Sequence, residues 1–447
     1  MGIAMNENIQ NLAIATLLPF LVLQTLFIPR HPVFAADLDA QRRVEVSEIA
    51  TMIARDFERN DPNYIATKSN FAKKLGLVTT QLITLQNQDQ NMACSDQLLI
   101  EARWLLQHTT DWGRLDAQLG KLTQSLRETN QHWANRQSPE DGAWGACYEE
   151  WFLKLDATID PLGQLADQGE APQYPLVFLE RIGEPESLLA YLEGLLVSDI
   201  AATGMDQRDE LGAVTAALSQ LLFKDDLHRL VSQQRQGSVI DEEYVDSYQD
   251  FLDSWQDPET GYWGAWYRSE GKVFKSEDLS LTFHTISYRD GRVNYWPKII
   301  DTTLAIKPYE YPYGWMHNGT YKHHNNYDVV KILRYGWPHM NDEQKRRARV
   351  ELAEMLEWCL KGPMEADTLF AIDPSFYSNR ANYYYYGVSF LDEIGYWDKA
   401  RRFWTDRDFP EARTLCHRIK AKLTALSLDA PLAKAAEEKL EANCPGS

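Results

Sequence analysis

A ten-residue sequence occurs twice in this chain, and the repeat constrains the fold more than any other feature. The copies at residues 137–146 and 256–265 both fit the pattern Q-x-P-E-x-G-x-W-G-A, 119 residues apart (from Gln137 to Gln256). Proline fixes φ and glycine permits a positive φ, so each copy is typical of a tight turn. We expect its tryptophan to pack on the neighbouring helix. Repetition at this spacing indicates a fold of stacked helical hairpins.

Helical periodicity accompanies the repeat. Apolar residues fall three and four positions apart in 185–201, through Leu188, Leu192 and Leu195, and again in 208–223. Such spacing places them on one face of an α-helix. Because alternation of period two is scarce, the sequence predicts consecutive helices over 38–255 and an all-α fold.

The second copy, with Phe251 upstream, resembles the QW motif of terpenoid cyclases and the related repeat of protein prenyltransferases. The first copy keeps Gln137, Gly142 and Trp144, with Trp133 upstream. The resemblance implies an α/α toroid, a complete or incomplete barrel of helical hairpins around a cavity, with minor β-hairpin or loop insertions.

The chemistry of those families is not implied. The D-x-D-D acid of the cyclases is absent, and the prenyltransferases use cytosolic diphosphates that an exported chain would not meet. Extracytoplasmic toroids are more often similar to polysaccharide lyases and glycoside hydrolases, an analogy that rests on fold and location.

Export is predicted from the N-terminus. Residues 12–28 are almost wholly apolar, and Val33-Phe34-Ala35 suits signal peptidase. We therefore predict a signal peptide at 1–35 and a periplasmic or secreted protein with no stable membrane insertion after cleavage. The segment before the apolar run lacks Lys and Arg, and the run is long, so an uncleaved anchor remains the alternative.

The remaining chain is predicted to form a helical segment of the toroid at 36–130, a toroid core at 131–408 and a helical hairpin at 409–447. Two disulfides are expected in an oxidising compartment. The first pairs Cys416 with Cys444, because these residues flank two helical segments of one hairpin. The second pairs Cys94 with Cys147 and leaves Cys359 free.

The charge excludes some partners. Lys and Arg number 45 against 65 Asp and Glu, a formal net charge of -20, so nucleic acid and anionic membranes are unsuitable ligands. No cysteine pair has zinc-site spacing, and the adjacent His323 and His324 point apart on a regular backbone. We predict neither a metal nor a cofactor.

Aromatic residues locate the expected cleft. Residues 251–350 contain nineteen of them, whereas 37–136 contain six. Rings stack on ligand faces while interleaved His, Asn and Asp bond hydroxyls, although the same rings also fill a large helical core. The sequence predicts a cleft formed by 259–289 and 321–334, with Trp263, Trp266 and Trp315 as stacking rings.

The candidate acid–base residues lie in 276–291, which we predict to be a helix with Ser276 as N-cap and Gly291 at its end. A strand followed by an Asp-Gly hairpin is the alternative. On a helix, His284 and Tyr288 share one face and could act as base and acid, with Arg289 neutralising a substrate carboxylate. The competing interpretation is a core histidine beside a packed tyrosine.

The second candidate segment begins the predicted helix after residue 326. Asn325 and Asn326 continue an apolar stripe toward the N-terminus and are expected to face the cavity, although Asn also suits helix capping and Asp328 in the first turn would complement the helix dipole. His324, Tyr327 and Arg380 are predicted to bind substrate. Hydrolysis would instead require two carboxylates, for which Glu259, Asp278, Asp301 and Asp328 are available but more simply structural.

The sequence thus predicts an exported glycan-active enzyme, a polysaccharide lyase or glycoside hydrolase, acting on a small-molecule or oligosaccharide substrate. A non-catalytic periplasmic glycan-binding or scaffold protein is the alternative. The predicted catalytic residues are His284, Tyr288, Arg289, Asn326 and Asp328, and the predicted substrate-binding residues are Trp263, Trp266, Trp315, His324, Tyr327 and Arg380.

Overall fold

A computed structural model describes residues 42–43, 46–88, 90–234, 240–317, 319, 327–361, 380–426, 428 and 431–444. The predicted signal peptide lies outside them, as do His324 and Asn326. Within these ranges, every helix is too short or too polar to cross a membrane.

The chain divides into two compact units. Residues 2–255 and 264–276 form the N-terminal unit, and residues 256–263 and 277–447 form the C-terminal unit. The boundaries expected at 36, 131 and 409 stay predictions.

The N-terminal unit is mostly helical. Its helices are α1 (Val46–Asn60), α2 (Tyr64–Gln86), α3 (Ala93–His108), α4 (Trp112–Ser125), α5 (Trp151–Gln168), α6 (Pro185–Leu196), α7 (Ile200–Thr203), α8 (Arg208–Phe223), α9 (Asp225–Gln234) and α10 (Glu242–Trp255). The leucines predicted to share a face of α6 are buried, with Leu188 and Leu192 each 0% exposed. Apolar spacing therefore gave the correct face.

A small sheet completes this unit. Its strands are β1 (Arg42–Arg43), β2 (Val197–Ser198), β3 (Trp266–Ser269) and β4 (Lys272–Lys275), in the order β1-β4-β3-β2. Strands β3 and β4 form an antiparallel hairpin with Trp266 opposite Lys275, while β1 and β2 add in parallel at the two edges. The described residues are thus mostly helical with little sheet, which agrees with the all-α prediction, and the toroid stays a prediction.

The C-terminal unit contains α11 (Leu279–Tyr288), α12 (Trp296–Ala305), α13 (Tyr327–Gly336), α14 (Asp342–Lys361), α15 (Arg380–Glu393), α16 (Ala412–Leu426) and α17 (Pro431–Asn443).

Helices α16 and α17 pack together and are joined by a disulfide between Cys416 and Cys444, with Cα atoms 6.2 Å apart. In the other unit Cys94 and Cys147 are bonded, with Cα atoms 5.5 Å apart, and Cys359 is free and buried. All three cysteine predictions are confirmed.

The first copy of the repeat is a hydrogen-bonded turn. The side-chain amide of Gln137 donates to the carbonyls of Gly142 (2.9 Å) and Tyr174 (2.7 Å), and Gly142 has φ of 75°. The backbone N–H of Trp144 then donates to Thr158 Oγ1 at 3.0 Å, which connects the turn to α5.

The second copy has the same design. The amide of Gln256 donates to the carbonyls of Gly261 (2.8 Å) and Asn294 (2.9 Å), and Gly261 has φ of 73°. The N–H of Trp263 donates to Thr282 Oγ1 at 3.1 Å, which connects this turn to α11. The sequence repeat is therefore a structural repeat, with one turn and one following helix per copy.

Candidate functional site

The segment predicted to carry the acid–base pair is helical, so the strand-and-hairpin alternative is wrong there. Helix α11 ends where Gly291, at φ of 73°, donates its N–H to the carbonyl of Ile286 at 3.0 Å. The predicted N-cap needs correction. Asp278 accepts the N–H of Leu281 at 2.9 Å, whereas the hydroxyl of Ser276 donates to a backbone carbonyl of the hairpin. Asp278 immediately precedes the first helical residue, so its carboxylate can accept a first-turn N–H that has no partner within the helix.

His284 and Tyr288 form a stacked pair on α11. Their ring centroids are 5.6 Å apart with an angle of 21° between the ring planes. His284 is 6% exposed, and Tyr288 is half-buried. The predicted shared face is therefore present, and the tyrosine is the member of the pair that reaches solvent.

Helix α13 packs against this part of α11. The rings of Phe283 and Tyr327 meet edge to face at 5.4 Å, and Lys331 Nζ lies 5.9 Å from the centroid of Phe283. Tyr327 also contacts Tyr386 of α15, with centroids 5.9 Å apart. The helical parts of the two segments that the sequence assigned to one site thus lie side by side. We call His284, Tyr288 and Tyr327, whose rings are connected through Phe283, the His284 cluster.

Asp328, the residue after Tyr327 on α13, is a buried carboxyl group. The side chain is 4% exposed, and burial raises its pKa well above the ordinary value, against the smaller opposing effects of Lys331 and of the Tyr311 hydroxyl 3.5 Å away. A protonated carboxyl group can donate a hydrogen bond, as an ionised one cannot.

The predicted stacking rings are enclosed by protein. Trp263 is 0% exposed, Trp266 is 4% exposed and Trp315 is 1% exposed, so none offers a ring face to a ligand in this conformation. Arg289 is buried at the end of α11, and Arg380 is the first residue of α15, although its side chain lies outside the described atoms.

Two of the carboxylates considered for hydrolysis have structural partners. Asp278 caps α11, and Asp301 accepts a hydrogen bond from Gln344 at 2.9 Å. Glu259 belongs to the second repeat turn, where its N–H donates to Asp257 at 2.8 Å. Asp278 and Asp301 therefore hold a helix terminus and a neighbouring helix in the C-terminal unit.

Sequence reasoning missed a carboxylate cluster in the N-terminal unit, formed by Glu101 of α3, Glu150 before α5 and Glu210 of α8. Glu101 is 0% exposed and Glu210 is 9% exposed, and burial raises the pKa of each to about 7. The charge of Glu150, which is ion-paired with Arg114, adds to both shifts.

Aromatic and cationic side chains border this cluster. Tyr191 donates its hydroxyl to Glu210, and the guanidinium of Arg181 lies 5.3 Å from the ring of Trp151 and 4.7 Å from that of Tyr191. Trp151 and Tyr191 are half-buried. The arrangement combines two carboxyl groups that titrate near neutrality with aromatic rings at the surface.

His108, Asp206 and Asp209 form a buried triad. His108 lies on the same face of α3 as Glu101. His108 Nδ1 is 2.5 Å from Asp206, and its Nε2 is 2.9 Å from Asp209. Burial alone would lower the pKa of His108, but the two carboxylates outweigh it and raise the value to about 9. A charged histidine between two acids is a structural ion cluster. His108 and Glu101 are seven residues apart, which places them on one face of a helix. This spacing is the signal in the sequence that could have indicated the buried charged groups of the N-terminal unit.

A metal centre has no support among the described residues, because they contain no group of three His, Cys, Asp or Glu side chains placed to hold an ion.

Comparison with known proteins does not identify a function for these residues. No protein-family model matches the chain, and the curated proteins and solved structures contain no significant match. The site must therefore be interpreted from its own geometry.

Proposed function

We propose that this protein is an exported, glycan-active enzyme that cleaves uronate-containing chains by β-elimination, built on an α/α toroid. The observation that carries the proposal is the stacked His284–Tyr288 pair, on a helix that packs against the helix of the buried Asp328. The repeated turn-and-helix unit supports the toroid, and the confirmed disulfides support an oxidising compartment.

The proposed reaction needs a base, an acid and a way to neutralise the uronate carboxylate. His284 removes the proton at C5, the C4–O bond breaks as the C4–C5 double bond forms, and Tyr288 protonates the departing glycosidic oxygen. Negative charge develops on the uronate carboxylate during proton removal. Arg289 stabilises it by charge, and Asp328, whose pKa burial raises, stabilises it by hydrogen-bond donation from its protonated form.

The distribution of charge is compatible with an anionic substrate. The C-terminal unit contains 23 Lys and Arg against 26 Asp and Glu, a net charge of -3, which leaves -17 of the total of -20 to the N-terminal unit. Repulsion of an anionic chain is therefore weaker at the unit that contains the His284 cluster.

The experiment follows products of wild-type protein on a panel of uronic and neutral glycans. We expect new absorbance from unsaturated uronates, and its loss by at least about a hundredfold in His284→Ala and Tyr288→Phe. His339→Ala is the matched control, because His339 also stacks on an aromatic ring, that of Trp296 at 5.5 Å, but lies outside the cluster. Full activity in folded His284→Ala would refute the proposal, as would glycan binding without any product.

Hydrolysis at the carboxylate cluster is the second candidate function. It is favoured by Glu101 and Glu210, whose pKa values near 7 suit a general acid, and by the ring of Trp151 at the surface. Its signature would be new reducing ends without unsaturated products, abolished by Glu210→Gln and unchanged by His284→Ala.

A further inference from the structure

A cavity of about 470 Å³ lies beside the first repeat turn in the N-terminal unit, whereas the His284 cluster belongs to the C-terminal unit. Trp133 and Tyr174 contribute aromatic walls, and Arg136, Glu140, Asp141 and Lys154 contribute charged ones. Small-molecule sites commonly occupy roughly 300–1,000 Å³. The cavity therefore has the size of a site for a sugar unit.

Trp133 is unusual because its indole is 49% exposed at the cavity edge. The residue at the corresponding position of the second copy, 119 positions later, is Leu252, which is 0% exposed. A large ring that packing does not enclose exposes apolar surface to water, a cost that binding to the apolar face of a sugar would offset.

The copies also differ at a residue that lines the cavity. Ala143 lines the cavity, whereas its counterpart Tyr262 is 1% exposed and shares a 2.7 Å hydrogen bond with Thr303. The first copy thus has a methyl group where the second has a bonded aromatic ring.

The polar groups of the cavity suit a hydroxylated ligand. Asp141 and Lys154 are paired at 3.2 Å, which cancels their charges. Arg136, which is cationic, and Glu140, which is anionic, are both exposed to solvent. Donors and acceptors without a dominant charge match sugar hydroxyls better than phosphate, a cation or a basic peptide.

We propose that the cavity beside Trp133 is a second saccharide-binding site, which holds a pyranose unit of a glycan chain by stacking on the indole. The choice of ligand rests on the proposed function, but the site is separate from the reacting groups. It would anchor a polymer while the His284 cluster acts, so its contribution should appear on long substrates and not on short ones.

The test measures binding in the His284→Ala background, which prevents turnover. Defined oligosaccharides of uronic and neutral glycans are titrated while tryptophan fluorescence and calorimetric heat are followed. We expect Trp133→Ala to raise Kd at least about tenfold and Trp133→Phe to restore most of the affinity. Leu77→Ala is the control, because Leu77 is an apolar side chain, 76% exposed, beside a different cavity of the same unit.

The outcomes separate this site from the proposed activity. Trp133-dependent binding without lyase products would retain the site and reject the activity. Binding that is indifferent to Trp133→Ala would overturn the site whatever the activity, and so would absence of any saccharide binding. A Trp133-dependent dimer in sedimentation experiments, with no sugar effect, would also overturn it and assign the surface to self-association.

Discussion

The two copies of the repeat share one hydrogen-bonded turn and one bond to a threonine of the following helix, but the segments between turn and helix differ. Gln137 and Gln256 each donate to two backbone carbonyls. After the first turn the chain enters a disulfide at Cys147, whereas after the second it enters strand β3 at the corresponding residue, Trp266. The motif therefore specifies the backbone conformation of a turn, and the flanking residues determine which structure follows that turn.

The helices that follow the turns differ in the same way. In the N-terminal unit the turn is followed by α5, near the carboxyl groups of Glu101 and Glu150. In the C-terminal unit it is followed by α11, which presents His284 and Tyr288. Each turn is bonded to the helix that follows it, so the same turn can position different side chains on different helices.

The largest expected effect comes from adding a methyl group to the turn glycine of each copy. A Cβ at Gly142 would lie 1.8 Å from the carbonyl oxygen of Pro175, and one at Gly261 would lie 2.6 Å from a side-chain atom of Ile299. Both glycines also have positive φ. We expect Gly142→Ala to lower the free energy of unfolding by more than about 4 kcal/mol and Gly261→Ala by about 2–4 kcal/mol.

Urea denaturation of the two variants measures this difference. The control is Gly76→Ala, inside α2, where an added Cβ meets nothing within 4 Å and about 0.5–1 kcal/mol of stabilisation is expected. Equal stability of Gly142→Ala and wild type would show that the turn of the first copy does not have the described backbone.

The disulfide is the second expected difference, because the first copy has a cross-link where the second has a strand. Cys147→Ser opens a loop of 53 residues and is expected to lower the free energy of unfolding by about 4 kcal/mol. Cys359→Ala, at a buried free thiol, should cost only about 1 kcal/mol. If reduction leaves the denaturation midpoint of the wild type unchanged, the cross-link does not contribute to the stability of the first copy.

Local patterns predicted much of this structure. The leucine spacing gave α6, the turn motif gave two equivalent turns, and the helical pair gave the Cys416–Cys444 bond. The N-cap of α11 was misplaced because Ser276 and Asp278 are both good caps, and only the direction of the free N–H groups decides between them.

Tertiary features were not predictable in this way. An aromatic residue such as Trp315 has the same local pattern whether it is enclosed or lines a cleft. Glu101 and Glu210 are 109 positions apart, and burial brings them near Glu150 through helices that no local spacing connects. A pKa near 7 results from that assembly and leaves no mark in the sequence.

The smallest expected effect depends on pH and distinguishes the surroundings of the two copies. Burial is the main reason that the pKa of Glu101 is about 7, with the charges of Glu150 and Glu149 adding to it and the Glu149 N–H, 3.0 Å away, opposing it. Between its ordinary pKa of 4.5 and 7, the folded protein keeps a proton that the unfolded chain has released. Stability must therefore fall as pH rises through this window, by up to about 3 kcal/mol.

Glu101→Gln removes that dependence, because the amide stays neutral and its oxygen can still accept the Glu149 N–H. We expect the variant to match the wild type at pH 4 and to exceed it by about 3 kcal/mol at pH 8, whereas Glu180→Gln, at an exposed position, follows the wild-type curve. Asp328→Asn should change stability in the same direction, since burial also raises the pKa of Asp328. A Glu101→Gln variant less stable than wild type at pH 8 would mean that this carboxylate is ionised and held by partners, and the carboxylate cluster would then be a structural ion network.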